Sequence, residues 1–249
     1  NGVTLTSGTG VVAPAAVLEN LVVYDIWTAE QYTLTTTPDN TYGVFFRTYY
    51  SREWIVDEWY DEGGYYETDD LAEITLDNVT IRTQNPRHAE TAGDAVNRYG
   101  ALTFWAADME WKGNNLQGTE DMGVMVFVKG SNTVELLGVE NDTADAKWSA
   151  VSFVNCYGNF YGSGSNATLN ATIAYDNAVG EAAALRGTSS INFGDAYNEY
   201  SDETPVTINV VAQVTGADGT TKYGNGIDII DYSLNCAGDT NLNIVANDT

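Results

Sequence analysis

The stretch SREWIVDEWYDEGGYYETDD, residues 51–70, sets two tryptophans and three tyrosines among a run of carboxylates. Glycoside hydrolysis uses a pair of carboxyl groups roughly 5 to 9 Å apart, one on each side of the scissile bond. Glu53, Asp57 and Glu58 stand among Trp54, Trp59 and Tyr60, and FWAADMEWKG repeats the theme with Asp108 and Glu110 between Trp105 and Trp111. These parts suit a carbohydrate-binding or carbohydrate-cleaving β-sandwich that uses Trp54, Trp59, Trp105 or Trp111 as sugar platforms. Trp105, Met109 and Trp111 also fit the core face of one strand, which would leave Asp108 and Glu110 in solvent. With 35 acids in the chain, mixed acid–aromatic patches arise without any catalytic purpose. No catalytic residue is assigned, and the chain reads as a non-enzyme.

Other chemistries have fewer parts. His88, the only histidine, sits in the polar stretch NPRHAE with no nucleophile elbow nearby, so a Ser-His-Asp or Cys-His arrangement has no support. SGTG at residues 7–10 and GSGS at residues 162–165 lead into neither a lysine-bearing phosphate loop nor a dinucleotide fingerprint. Hard oxygen ligands are plentiful, and calcium takes six to eight of them without strict spacing. The candidate Ca2+ ligands are Asp61, Glu62, Glu67, Asp69 and Asp70 in one segment and Glu140, Asp142 and Asp145 in another. Neither segment has the spacing of an EF-hand loop.

The formal net charge of −25 restricts partners. Such a surface repels phosphate backbones and anionic lipid, which argues against nucleic acid. No apolar run approaches the roughly 18 residues of a membrane span, so membrane insertion is not expected. Neutral glycans, cations and further copies of the chain are the compatible partners. A start at Asn1-Gly2 reads as a mature form whose leader was removed or as an excerpt, and few lysines with abundant Thr, Asn, Gly and Tyr suggest a secreted protein, extracellular or on a cell surface. In an oxidising compartment Cys156 and Cys236 are expected to form a disulfide, worth about 4 kcal/mol by chain entropy. Glycosylation sequons occur at Asn78, Asn141, Asn166, Asn170 and Asn247.

The elements that must carry these residues are strands. TPVTINVVAQVTG puts Val206, Ile208, Val210, Ala212 and Val214 on one face, and MGVMVFVKG is apolar on both. AEITLDNVTIRT reads as a hairpin turning at Asp77-Asn78 or as one bulged strand, and DNAVGEAAALRG, residues 176–187, as one or two helical turns. No internal repeat of fixed period is visible. The expected fold is all-β: an antiparallel β-sandwich, jelly-roll-like or Ig-like, with long loops and at most one short helix. Residues 13–249 form its single domain, with a possible seam near residues 84–100, and residues 1–12 are a candidate donor-strand arm. The interface candidates are Val3 and Leu5 on that arm, with Trp54, Trp59, Tyr65 and Tyr66 as rigid aromatic anchors. On this reading the chain is a self-assembling homopolymer subunit of an extracellular filament, sheath or surface layer, joined by strand exchange and aromatic–acidic contacts.

Overall fold

The computed structural model describes residues 3–6, 15–26, 42–49, 52–56, 63–67, 72–86, 99–107, 123–139, 146–154, 156–188, 190–194, 205–229, 233–237 and 240–247. Among them the regular structure is all strand, and the strands wind as six successive coils. The first coil is β1 (Val3–Thr6), β2 (Ala15–Glu19) and β3 (Val22–Ile26). The second is β4 (Tyr42–Tyr49), a hairpin of β5 (Arg52–Val56) and β6 (Gly63–Glu67), then β7 (Ala72–Asp77) and β8 (Thr80–Gln84). The third is β9 (Tyr99–Ala107), β10 (Gly123–Lys129) and β11 (Ser131–Leu137); the fourth is β12 (Lys147–Val154), β13 (Tyr157–Gly162) and β14 (Thr168–Ala178). The fifth is β15 (Glu181–Gly187), β16 (Ile191–Phe193) and β17 (Val206–Gly216); the sixth is β18 (Gly224–Ile229), β19 (Leu234–Cys236) and β20 (Thr240–Ala246).

Corresponding strands of successive coils pair in parallel, giving three six-stranded sheets: A, in the order β1-β4-β9-β12-β15-β18; B, β2-β7-β10-β13-β16-β19; and C, β3-β8-β11-β14-β17-β20. The molecule is a parallel β-solenoid. This overturns the antiparallel sandwich and the short helix. Among the described residues the antiparallel pairings are the β5–β6 ladder, outside the three sheets, and an isolated bridge between Thr215 and Lys222. Residues 168–178 and 181–187, spanning the expected helix, are β14 and β15. The expected hairpin at Asp77-Asn78 is a corner: the chain does turn there, but β7 belongs to sheet B and β8 to sheet C. Sheets A, B and C all run through the expected seam, since β4 pairs with β9 and β8 with β11 across it. β1 pairs in parallel with β4 of the same chain.

The local reasons are readable in the residues. Asn20, Asn78 and Gly130 turn sheet B into sheet C in the first three coils, at φ of 51°, 53° and 65°. Asparagine and glycine are the residues that reach this left-handed region at low cost. Asn78 Oδ1 then accepts from Ser131 N, filling the space where a side chain at position 130 would sit. The buried Asn132 accepts from Val79 N at 2.9 Å and donates to Lys129 O and Thr168 O, so it pairs backbone groups that the corner would otherwise orphan.

Sheet A pairing skips Gly43, Ala101, Ala150, Ala184 and Gly226, one small residue per strand. A Cβ at Gly43 would meet Ile81 and Thr83, and one at Gly226 would meet Ile244, so this row faces sheet C at close range. Farther along the same strands Phe153 meets Phe160 of sheet B edge-on at 5.5 Å. Small residues at the skipped row let sheet A bend and serve both neighbours. Aromatic rings then stack coil on coil: Phe46 on Phe104 at 5.2 Å, Phe104 on Phe153 at 4.8 Å, and Phe160 on Phe193 at 5.4 Å.

Candidate functional site

A parallel in-register stack places each side chain directly on its counterpart one coil away, so like charges would oppose each other. The ion pairs among the described residues solve this by register. Lys129 lies 2.8 Å from Asp77, Arg82 2.6 Å from Glu135, Lys147 3.7 Å from Glu181 and Arg186 2.7 Å from Asp228. Each pair consists of Cα register partners on adjacent coils. The hydrogen bond from Lys129 to Asp77, together with their opposite charges, pushes the lysine pKa up. Uncharged polar rows use the same geometry. Asn243 donates to Asn209 and Asn209 to Asn170, each at 2.8 Å, while Asn235 donates to Asn192 and Asn192 to Asn159, each at 2.7 Å.

The two end coils differ from this interior. β19 (LNC) and β20 (TNLNIVA) carry no charge, β18 carries only Asp228, and no strand of the first or last coil contains Pro or Lys. Lys, Pro and other charged or bulged devices are what normally keep a free sheet edge from pairing with another chain. Apolar side chains also remain in solvent on these coils: Val17 is 67% and Val22 57% exposed on the first, Leu234 41%, Ile244 50% and Val245 56% on the last. These two edges form the candidate functional site. Sequence reasoning reached them only at β1, through Val3 and Leu5, because an edge is a property of topology rather than of any strand's own pattern.

A second feature lies where sheet A hands over to sheet B. The acid–aromatic segments 50–71 and 108–122 leave sheet A from Tyr49 and Ala107, which are register partners, and re-enter sheet B at Ala72 and Gly123 on adjacent strands. Topology therefore roots both segments at one corner of neighbouring coils. Trp54 stands opposite Tyr65 and Glu53 opposite Tyr66 in the β5–β6 ladder, and Glu67 closes β6 opposite Arg52.

The remaining sequence candidates divide as follows. Trp59, Asp57, Glu58, Asp61, Glu62, Asp69, Asp70, His88, Asp108, Glu110, Trp111, Glu140, Asn141, Asp142 and Asp145 lie outside the described residues. Among the described residues no group of three or more His, Cys, Asp or Glu gathers to hold a metal ion. Val3 and Leu5 occupy register positions opposite Val44 and Phe46 of their own chain. The expected disulfide is not formed. Cys156 is buried, with its thiol 3.7 Å from the Phe104 carbonyl oxygen, whereas Cys236 is exposed. Cys156 immediately precedes β13 in the fourth coil and Cys236 closes β19 in the sixth. Two strand spacings are about 10 Å, beyond the roughly 7 Å Cα separation that a disulfide bridges.

The sequons differ in what their amides do. Asn170 donates to Asn132 O and accepts from Asn209, and Asn247 both donates to and accepts from the Val214 backbone. Asn78 donates to Asp77 at 2.8 Å. Asn166 is exposed at a turn with φ of 62°, and no hydrogen bond with another described residue engages its amide. Expression in a host that adds N-glycans should therefore modify Asn166 and leave Asn78, Asn170 and Asn247 bare. Glycopeptide mass spectrometry showing an occupied Asn170 would contradict the ladder.

No family model, no curated protein and no solved structure matches the chain. No helix among the described residues is long and apolar enough to cross a membrane.

Proposed function

We propose that this chain is a structural subunit that assembles with copies of itself into an extracellular filament, sheath or surface layer. The observation behind this reading is that, among the described residues, no further strand pairs with the outer side of the first or last coil, where Val17, Val22, Leu234, Ile244 and Val245 are exposed and the only strand charges are Glu19, Asp25 and Asp228. Covering one such side chain is worth about 1.5 to 3 kcal/mol, so the set supplies much of a subunit contact. A contact between two different edges of one molecule is head-to-tail, does not close on itself, and yields a linear polymer. The net charge of −25 opposes crowding, and the repulsion is screened within about 10 Å at 0.1 M salt. Calcium held by the acidic segments at 61–70 and 140–145 would offset it further.

Ordered polymers should appear by negative-stain microscopy as salt is raised. The Ile244→Lys variant, which places an ammonium on the uncharged edge, should retain its strand signal by circular dichroism and stay monomeric in sedimentation. A wild-type chain that remains monomeric at high concentration in every salt and calcium condition ends this reading.

A carbohydrate-directed role is the second reading, favoured by the rooting of both acid–aromatic segments at one corner. It predicts glycan binding by discrete particles, lost on replacing Trp54 and Trp111 by alanine.

A further inference from the structure

Three rows of the solenoid run through all six coils in unbroken register. In sheet A the row is Val3, Val44, Leu102, Val151, Leu185 and Ile227. In sheet B it is Ala16, Ile74, Val126, Phe160, Phe193 and Cys236. In sheet C it is Val23, Ile81, Val134, Ala171, Val210 and Ile244. One chain-length of winding therefore carries each row from an apolar first member to a last member that is β-branched or a thiol, with no sideways slip. We propose that the last coil of one copy receives the first coil of the next as a seventh coil in this same register, so that all three parallel sheets continue across the subunit boundary.

This rests on the assembly reading above and adds the partner surface and its alignment. In that register Ile227 meets Val3, Ile244 meets Val23 and Cys236 meets Ala16 of the next copy. Asp228, the only charged residue in the strands of the last coil, belongs to a row that runs back through Arg186, Ser152, Thr103 and Phe45 to Thr4. It would therefore meet a threonine and no second carboxylate. A slip by one residue would instead put each inward row on an outward one, since side chains alternate along a strand.

The exposed Cys236 supplies the test. Adjacent strands are about 4.8 Å apart, within the roughly 4.4 to 6.8 Å Cα range of a disulfide. The full-length Ala16→Cys variant is assembled and then oxidised with diamide, which takes up the two protons and two electrons released as the disulfide forms. Non-reducing electrophoresis should show a ladder of covalent multimers, collapsed by dithiothreitol and absent when Cys236→Ser is added. A second pair, Val23→Cys with Ile244→Cys in a Cys236→Ser background, reads the same register in sheet C independently. Polymers of normal appearance that give no ladder from either pair overturn the register while leaving self-assembly standing. A chain that forms no polymers before oxidation overturns both.

Discussion

Replacing Phe153 with alanine is expected to cost about 3 to 5 kcal/mol of folding stability, the usual range for deleting a fully buried aromatic ring. Phe153 is wholly buried, stacks on Phe104 at 4.8 Å and meets the edge of Phe160 at 5.5 Å. A Cβ at Gly158 would strike the Phe153 ring, so the backbone of sheet B already closes against it. The cavity would lie where sheet A bends toward sheet B, and the adjoining Phe46–Phe104 and Phe160–Phe193 stacks would lose the ring that joins them. In a solenoid each coil is held mainly by its two neighbours, so damage in the fourth coil weakens its contacts with the third and fifth together. Guanidinium unfolding should show a lower midpoint with an unchanged slope if the transition remains cooperative. A loss under about 1 kcal/mol would mean that the ring is not the joint between sheets A and B.

Much of the strand content was legible, and the way the strands combine was not. Val206, Ile208, Val210, Ala212 and Val214 alternate inward along β17, as their spacing predicts. Alternation records that one face is buried; it does not record whether the neighbouring strand runs parallel or antiparallel. The useful signal lay elsewhere. β12 and β15 are buried at nearly every position, the mark of strands covered on both sides. In β15 that signal is masked because Glu, Ala, Leu and Arg are good helix formers. Tertiary burial overrides that propensity here.

The repeat was hidden by insertion. Coils begin at Val3, Tyr42, Tyr99, Lys147, Glu181 and Gly224, at unequal intervals set by segments of different length at the corners. The corner residues themselves were partly readable. Asn78 does mark a turn, but the partner of the strand it releases lies a coil away and leaves no trace in the local sequence. The same non-locality explains the cysteines. Both fall in or beside sheet B, and only the coil count shows that they are two turns of the solenoid apart. The candidate edges are the extreme case, since Ile244 and Val245 look like any other core-strand pair until the stack is assembled.

The largest asymmetry between two single substitutions is expected at the Arg186–Asp228 pair. Arg186 is only 1% exposed, whereas the Asp228 side chain is 24% exposed, so the two charges are desolvated unequally. Burial depresses the Arg186 pKa, and the nearby Asp228 and Glu181 charges oppose that shift. The guanidinium approaches Asp228 at 2.7 Å without an aligned hydrogen bond, and its Nε and Nη2 find no hydrogen-bond partner among the described residues. Charge compensation by Asp228 is therefore what makes the buried cation tolerable. Asp228→Ala would strand that cation and should cost about 3 to 5 kcal/mol, the range for breaking one side of a buried pair. Arg186→Leu removes the buried charge itself and leaves Asp228 near water, so its cost should be smaller by at least about 2 kcal/mol. The pH dependence follows from the lowered arginine pKa. At neutral pH the parent chain holds both charges, so the Asp228→Ala deficit is complete there. It eases as alkaline pH approaches the lowered arginine pKa and the buried cation can lose its proton. Equal losses in the two variants by denaturant unfolding at pH 7 would show that the pair is held by packing and that the buried charge is of little consequence.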